Sequence, residues 1–232
     1  MTPKALSHLE KQIGLSFKNK ELLKNAFIHR SYLNENKDFE YQSNEKLEFL
    51  GDSVLSLITS VYLYKRYPKF KEGDYTEIKS AIVKTGSLAD AALELELGDY
   101  LYLSKGEELG NGRKNKNILA DCFEAVIASI FLDLGYDAAD AFVVRYLFKD
   151  LLDRTIKEGE YLSSKSKLQE LAQAKYKTIP NYKVMSEEGP EHRRIFTIAA
   201  YIHKKKYGVG TGFSKKEAEE KAAKTTLEEI TS

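Results

Sequence analysis

Three carboxylates stand at i, i+3 and i+7 in the segment NEKLEFLGDSVL: Glu45, Glu48 and Asp52. On an α-helix that spacing puts them on one face, where like charges repel by roughly a few tenths of a kcal/mol. Leu47, Phe49, Leu50, Val54 and Leu55 are interleaved with them, so the face is not uniformly solvated. A second pair, Asp121 and Glu124, stands at i, i+3 within the strongly apolar run NILADCFEAVIASIFLD. Carboxylates in such surroundings are expensive to desolvate unless they are paired or bind a cation. Ion pairs with Lys46, Lys79 or Arg113 would give them an ordinary structural role. If instead the two helices pack together, Glu48, Asp52, Asp121 and Glu124 form an oxygen-rich cage, and oxygen donors suit Mg²⁺ or Mn²⁺ rather than zinc.

Such a cage supports phosphodiester hydrolysis, because a divalent ion lowers the pKa of bound water, orients it and neutralises charge developing on the scissile phosphate. Metal-free RNA cleavage would need a positioned acid and base, most often histidines. The four histidines, His8, His29, His192 and His203, show no motif-like spacing. Metal-assisted hydrolysis is the chemistry these residues favour.

The elements that must position the carboxylates are helical. From Leu6 to about Ile156, apolar residues recur at three- and four-residue spacing, and the breaks, YPKFKEGD and SKGEELGNGRKNKN, are turn-like. The polar stretch near 156–163 reads as a linker. Beyond it KSKLQELAQAKYK is a short amphipathic helix, and NYKVMSEE, RRIFTIAAYIH and KKYGVGTG are strand-like. SKKEAEEKAAKTTLEEI closes the segment as a helix with Ser214 as N-cap and Glu217 completing a capping box. The expected class is α+β: an all-α domain over 1–156, a linker over 157–163 and an α-β-β-β-α domain over 164–232.

Charge follows the same division. From Ser163 onward 14 Lys/Arg face 9 Asp/Glu, whereas residues 1–162 hold 22 against 26, within a net charge of +1. A basic tail on an acidic body suits a polyanionic partner, although ordinary surface variation gives similar counts. One cysteine, Cys122, excludes an intrachain disulfide framework or a Cys-rich zinc site. The stretch Val54–Tyr64 is interrupted by Ser56, Thr59 and Ser60 and is too short to cross a bilayer; no apolar core follows the early basic residues as in a secretory signal. A cytoplasmic protein without membrane contact is expected.

At NEKLEFLGDSVL and ILADCFEAVIASIFLD the chain resembles bacterial ribonuclease III, with HRSYLNE and EGDYTEIKSAIV adding to the likeness. The resemblance implies Mg²⁺, with Mn²⁺ able to substitute, on Glu48, Asp121 and Glu124, and catalytic roles for Asp52 and Glu124. It implies supporting acidic roles for Glu45 and Glu72, a homodimer into whose partner Phe49 inserts, and no small-molecule cofactor. Each subunit is expected to cut one strand of double-stranded RNA, leaving 5′-phosphate and 3′-hydroxyl ends with a short 3′ overhang, in the processing of precursor rRNA, mRNA and other structured transcripts. Cys122, where the family commonly has a small residue, and Asn117, near a position often taken by Ser, are the visible departures.

The tail resembles the double-stranded-RNA-binding domain, which reads shape, phosphates and 2′-hydroxyls because A-form duplexes hide their base edges. Its expected contacts are Gln169, Glu170 and Gln173 on the first helix, Pro190 and His192 in the loop GPEH, and Lys215, Lys216 and Lys221 at the start of the last helix. There the helix dipole and free amides would add to the lysine charges. The alternative reading is a duplex-RNA binder without catalysis.

Overall fold

The run of apolar residues from Ile118 to Leu134 leaves no wide polar face, so the helix it forms belongs at the centre of a core rather than at its edge. The computed structural model describes residues 3–159, 161–190 and 193–231, and the chain divides into two compact units, 1–158 and 159–232. The first unit is helical: α1 (Leu6–Ile13), α2 (Lys20–Asn25), α3 (Arg30–Glu35), α4 (Glu45–Arg66), α5 (Glu72–Ile82), α6 (Thr85–Glu94), α7 (Lys105–Leu109), α8 (Lys116–Leu134), α9 (Tyr136–Val143) and α10 (Lys149–Lys157). A π-helical turn, Val144–Phe148, joins α9 to α10. The periodic stretch after Gly73 is broken at Val83 and Lys84, where the backbone becomes extended between β-branched Val83 and Thr85.

Helix α8 is the central one. Asn115 caps it, its side-chain oxygen accepting from the N–H groups of Asn117 and Ile118 at 2.9 and 3.4 Å. Residues Ala125 to Ile130 are all buried, as is Cys122, whose thiol pKa burial pushes far up. Helix α4 is 22 residues long and, by length and composition alone, apolar enough to span a bilayer. Its apolar face is taken up by protein, with Leu47, Val54, Leu55, Ile58 and Leu63 buried and α8 its main neighbour.

The two helices touch backbone to backbone. A Cβ placed on Gly51 of α4 would lie 2.0 Å from the carbonyl oxygen of Glu124 on α8. Only glycine permits that approach, and it occurs at Glu124 itself, one residue before Asp52 on the facing helix.

The second unit runs α11 (Ser164–Tyr176), β1 (Asn181–Glu188), β2 (Ile195–Ile202), β3 (Lys205–Gly212) and α12 (Lys215–Thr231). The strands form an antiparallel sheet in the order β1-β2-β3, with Val184 opposite Ile198, Ala199 opposite Val209, and a bulge between Val184 and Ser186. Leu168, Ala172, Ala200, Ile202, Ala222 and Ala223 make its core. Gly208, Gly210 and Gly212 alternate along β3 so that α12 can lie on its backbone; a Cβ on Gly210 would fall 2.3 Å from α12. The expected cap of α12 forms with a shift: Ser214 Oγ accepts from Glu217 N–H, but Glu217 reaches back to the N–H of Phe213, at 2.9 Å, rather than to that of Ser214. The molecule is therefore α+β, a helical unit followed by a three-stranded sheet with its helices.

Alanine in a helix interior is favoured over glycine by about 1 kcal/mol, yet at position 51 it forces two backbones apart, a cost of about 1–3 kcal/mol or more. Gly51→Ala is expected to lower the urea midpoint of unfolding. Gly86→Ala, which meets nothing within 4 Å, is expected to hold or raise it. Equal behaviour of the two variants would contradict the close approach.

Candidate functional site

The start of α4 is pinned from outside the helix. Asn44 is almost fully buried; its backbone N–H donates to Ile28 O at 2.8 Å and its side-chain amide to Ala26 O at 3.3 Å. This fixes the first turn, which carries Glu45 and Glu48. Glu45 is exposed, accepts from Ser43 Oγ at 2.7 Å and lies 3.6 Å from Arg30. Glu48 is half-buried, Asp52 is exposed one helical turn further on, and Asp121 and Glu124 are half-buried on α8.

Electrostatics bind the four into one neighbourhood. Burial raises the Glu124 pKa from its ordinary 4.5 to about 8, and the charges of Asp52, Glu48 and Asp121 push in the same direction. Burial also raises Glu48, with Asp121, Glu45 and Asp52 adding to it and Arg30 opposing. Asp121 is raised by burial against the pull of His29 and Arg30. Glu48 and Glu124 are thus destabilised as anions by leaving water and by neighbouring acidic charges, and Asp121 by leaving water.

No hydrogen bond or ion pair to a basic side chain relieves them among the described residues. Lys46 turns to Gln42 Oε1 at 3.1 Å, Lys79 to Ser56 and Ser60, and Arg113 to Glu108 and the carbonyl of Gly98. Among the described residues Glu48, Asp52, Asp121 and Glu124 make no side-chain hydrogen bond or ion pair. The structural alternative, neutralisation by those three cations, does not occur. Nor do any three acidic, histidine or cysteine side chains among the described residues stand close enough to hold an ion as they are. Like charges in a half-buried setting spread as far as their helices allow, since each ångström between them lowers the repulsion. Unpaired carboxylates on either side of the α4–α8 crossing, three of them with raised pKa values, have the donor chemistry that a divalent cation takes.

The remaining sequence candidates lie elsewhere. Glu72 begins α5, is exposed, accepts from Thr76 Oγ1 at 3.1 Å and contributes to none of those shifts. It lines a cavity of about 440 Å³ with Ser60, Tyr64, Tyr75 and Lys79. Phe49 is 79% exposed, so it is no core residue of this chain. It shares one face of α4 with exposed Leu57 and Tyr64, next to the carboxylate stripe.

In the second unit Gln169, Glu170, Gln173 and Pro190 are exposed, and Arg193 N–H donates to Pro190 O at 2.8 Å. His192 lies outside the described residues. Lys215, Lys216 and Lys221 are exposed at the start of α12. Lys215 pairs with Glu187 at 3.1 Å and Lys221 with Glu217 at 2.8 Å, whereas Lys216 makes no ion pair among the described residues. Such exposed pairs are worth about 0–1 kcal/mol and yield readily to a phosphate.

Sequence reasoning passed over Gly51, Asn44 and Arg30, and dismissed His29 as scattered. A glycine inside a helix beside clustered acids is a readable signal of close approach; the other three depend on which segments meet in space.

Residues 19–151 match the family described as Ribonuclease-III-like, and residues 164–230 match the double-stranded RNA binding motif. The chain is 43% identical to Ribonuclease 3 of Dehalococcoides mccartyi, covering 97% of this chain and 94% of the relative. It is 44% identical to Ribonuclease 3 of Clostridium perfringens over the same shares, 97% and 94%. The nuclease domain of ribonuclease III from Campylobacter jejuni, 36% identical, superposes with a TM-score of 0.58 over 62% of this chain and 97% of that one.

An acid whose native pKa is raised keeps a proton that the unfolded chain has released, so stability falls as pH climbs through that interval. For Glu124 it runs from 4.5 to about 8. The metal-free protein is expected to lose thermal stability across that range, and Glu124→Gln to flatten the loss, in calorimetry at constant ionic strength. A divalent cation should restore the wild type at pH 8 and restore the variant less. Parallel pH profiles for the two proteins would show that the Glu124 carboxyl is not strained.

Proposed function

The chain belongs to the ribonuclease III family and is a double-strand-specific endoribonuclease, and from that premise we propose that it cuts with Glu48, Asp121 and Glu124 holding Mg²⁺ and with Asp52 beside them. The family's dependence on a divalent metal is the coarser fact; Mg²⁺ as the ion, with Mn²⁺ as substitute, belongs to the proposal. The observation that supports the site is the set of four unpaired carboxylates on α4 and α8, of which Glu48, Asp121 and Glu124 have raised pKa values. When bound, the ion supplies charge neutralisation at the phosphate and a more acidic water.

The chain's own residues do the rest. Glu124, half-buried and with its pKa raised to about 8, gives up its proton on ligation, so ion binding and proton release are linked. Asp52 stays exposed and accepts a hydrogen bond from the attacking water. The water oxygen bonds to phosphorus, the bond to the 3′ oxygen breaks, and that oxygen leaves with a proton as a 3′-hydroxyl, the phosphate remaining on the 5′ end. Two copies joined through the face bearing Phe49, Leu57 and Tyr64 bring one site to each strand and leave a short 3′ overhang. Glu45 and Glu72 support the site from its margin. The second unit holds the duplex through Gln169, Glu170, Gln173, Pro190 and His192 in minor grooves and through Lys215, Lys216 and Lys221 on phosphates. Precursor rRNA and mRNA are the expected substrates, and the cytoplasm the expected compartment.

Long duplex RNA with Mg²⁺ should yield short duplexes with the stated ends. Asp52→Asn and Glu124→Gln should each lower kcat by on the order of 10²–10³-fold, the scale for removing one preorganised electrostatic group, while RNA binding persists. Cutting at the wild-type rate in either variant would remove the assignment; binding without any metal-dependent cutting in the wild type would favour the non-catalytic reading. A chain ending at Glu158 is expected to bind duplex RNA more weakly at physiological salt and with a shallower salt dependence, because fewer counterions are released. Equal affinities across a salt titration would deny the second unit its role.

A further inference from the structure

The first turn of α11 is closed by a side chain from α12. A helix leaves its leading N–H groups without partners of its own. In α11 the hydroxyl oxygen of Ser163 accepts from Ser166 N–H at 3.1 Å, an ordinary cap. The N–H groups of Ser164 and Lys165 are taken by one carboxylate from a distant part of the chain: Glu220 Oε1 accepts from Ser164, and Oε2 from Lys165 at 3.3 Å. The Lys165 ammonium is paired with Glu219 at 2.5 Å and lies 5.0 Å from the centre of the Tyr182 ring on β1.

These bonds differ in kind from the other pairs along α12. Lys215 and Lys221 can exchange Glu187 and Glu217 for a phosphate. The backbone amides of Ser164 and Lys165 cannot change partner unless α11 itself moves. Ser164, Lys165, Glu219 and Glu220 are all half-buried. An anion at a helix N-terminus also meets the favourable end of the helix dipole, so the seat that a phosphate would otherwise find on α11 is filled from within. Elsewhere the two helices meet through Leu168, Ala172, Ala222 and Ala223. Side chains as small as alanine raise shallow ridges, which resist sliding poorly. The hydrogen bonds of Glu220 therefore set the offset and rotation of α11 against α12.

Each helix carries one set of the expected RNA contacts. Gln169, Glu170 and Gln173 are exposed on α11, and Lys215 and Lys216 are exposed at the start of α12, with Glu220 one turn further along. We propose that Glu220 is a positioning residue for duplex binding: by bridging α12 to the first turn of α11, it holds the minor-groove residues of one helix at a fixed distance from the phosphate-binding lysines of the other. This rests on the functional reading above, in which those residues hold the duplex. The sign of the effect sets Glu220 apart from other acidic groups. A carboxylate with no such duty repels a polyanion, so removing it tightens binding. Removing Glu220 is expected to weaken it.

The test uses the full chain and a long RNA duplex. Glu220→Ala should raise Kd by about tenfold at physiological salt, the order set by one hydrogen bond to a charged group. In cleavage with Mg²⁺ it should raise KM for RNA with kcat kept. Glu220→Gln, whose amide oxygen still accepts from one of the two N–H groups, should lose less. Glu229→Gln makes the same change of charge at an exposed position of α12 that has no hydrogen bond or ion pair among the described residues. It should bind as tightly as the wild type or more so, and more tightly than Glu220→Gln. Hydrogen exchange at the Ser164 and Lys165 amides should quicken in Glu220→Ala while those of β2 stay protected, which separates a released α11 from an unfolded unit. Should the alanine variant unfold, the order of the two Gln variants decides. Glu220→Gln binding as tightly as Glu229→Gln, or Ser164 and Lys165 exchanging as fast in the wild type as in Glu220→Ala, would overturn the inference. A wild-type chain without affinity for the duplex, or one unaffected by Gln169→Ala and Lys216→Ala together, would overturn the RNA reading of this unit and the inference with it. Weaker binding in that double variant beside unaffected Glu220 variants sinks the inference alone.

Discussion

The contact between the backbones of α4 and α8 at Gly51 and Glu124 is the constraint on which the site depends. Helices usually pack at 8–10 Å between axes, separated by side chains. Removing the side chain at the crossing brings carboxylates on both helices near enough that Asp52, Glu48 and Asp121 add to the rise at Glu124, and Asp121, Glu45 and Asp52 to the rise at Glu48. The fold sustains that repulsion because the apolar faces on either side are large: α8 is buried through Ala125–Ile130, and α4 through Val54, Leu55 and Ile58. Each such side chain contributes about 1.5–3 kcal/mol on leaving water, which outweighs a few unfavourable charge pairs. The core thus holds the acidic groups together against their own electrostatics.

Much of this was legible in the sequence because it rests on short-range periodicity. The i, i+3, i+7 spacing of Glu45, Glu48 and Asp52 and the i, i+3 spacing of Asp121 and Glu124 give the faces directly, and alternation in RRIFTIAAYIH gives a strand. What stayed hidden depends on contacts between distant segments. Nothing local in HRSYLNE says that its histidine will bond to the backbone of Tyr102, or that Asn44 will bond to Ala26 and Ile28. Phe49 is apolar, and apolar residues default to the core, so its exposure is invisible without the packing of α4. The capping arm of Glu217 missed by one residue, because the entry angle of the chain at Phe213 decides which N–H it meets.

The two units solve different electrostatic problems. The first gathers carboxylates of α4 and α8 near their crossing, where burial disfavours the charged forms of Glu48, Asp121 and Glu124. The second carries exposed lysines at the start of α12, two of them already paired with glutamates. Pairs of that kind keep the surface from binding every polyanion strongly while leaving charge to exchange for phosphate.

Cys122 lies next to Asp121, wholly enclosed by apolar neighbours, with burial holding its thiol in the unreactive protonated form. Since the chain has one cysteine, its folded surface is silent to maleimides and other sulfhydryl reagents. A cysteine introduced on any exposed loop becomes a unique address for a fluorophore or spin label, with no native residue needing removal first.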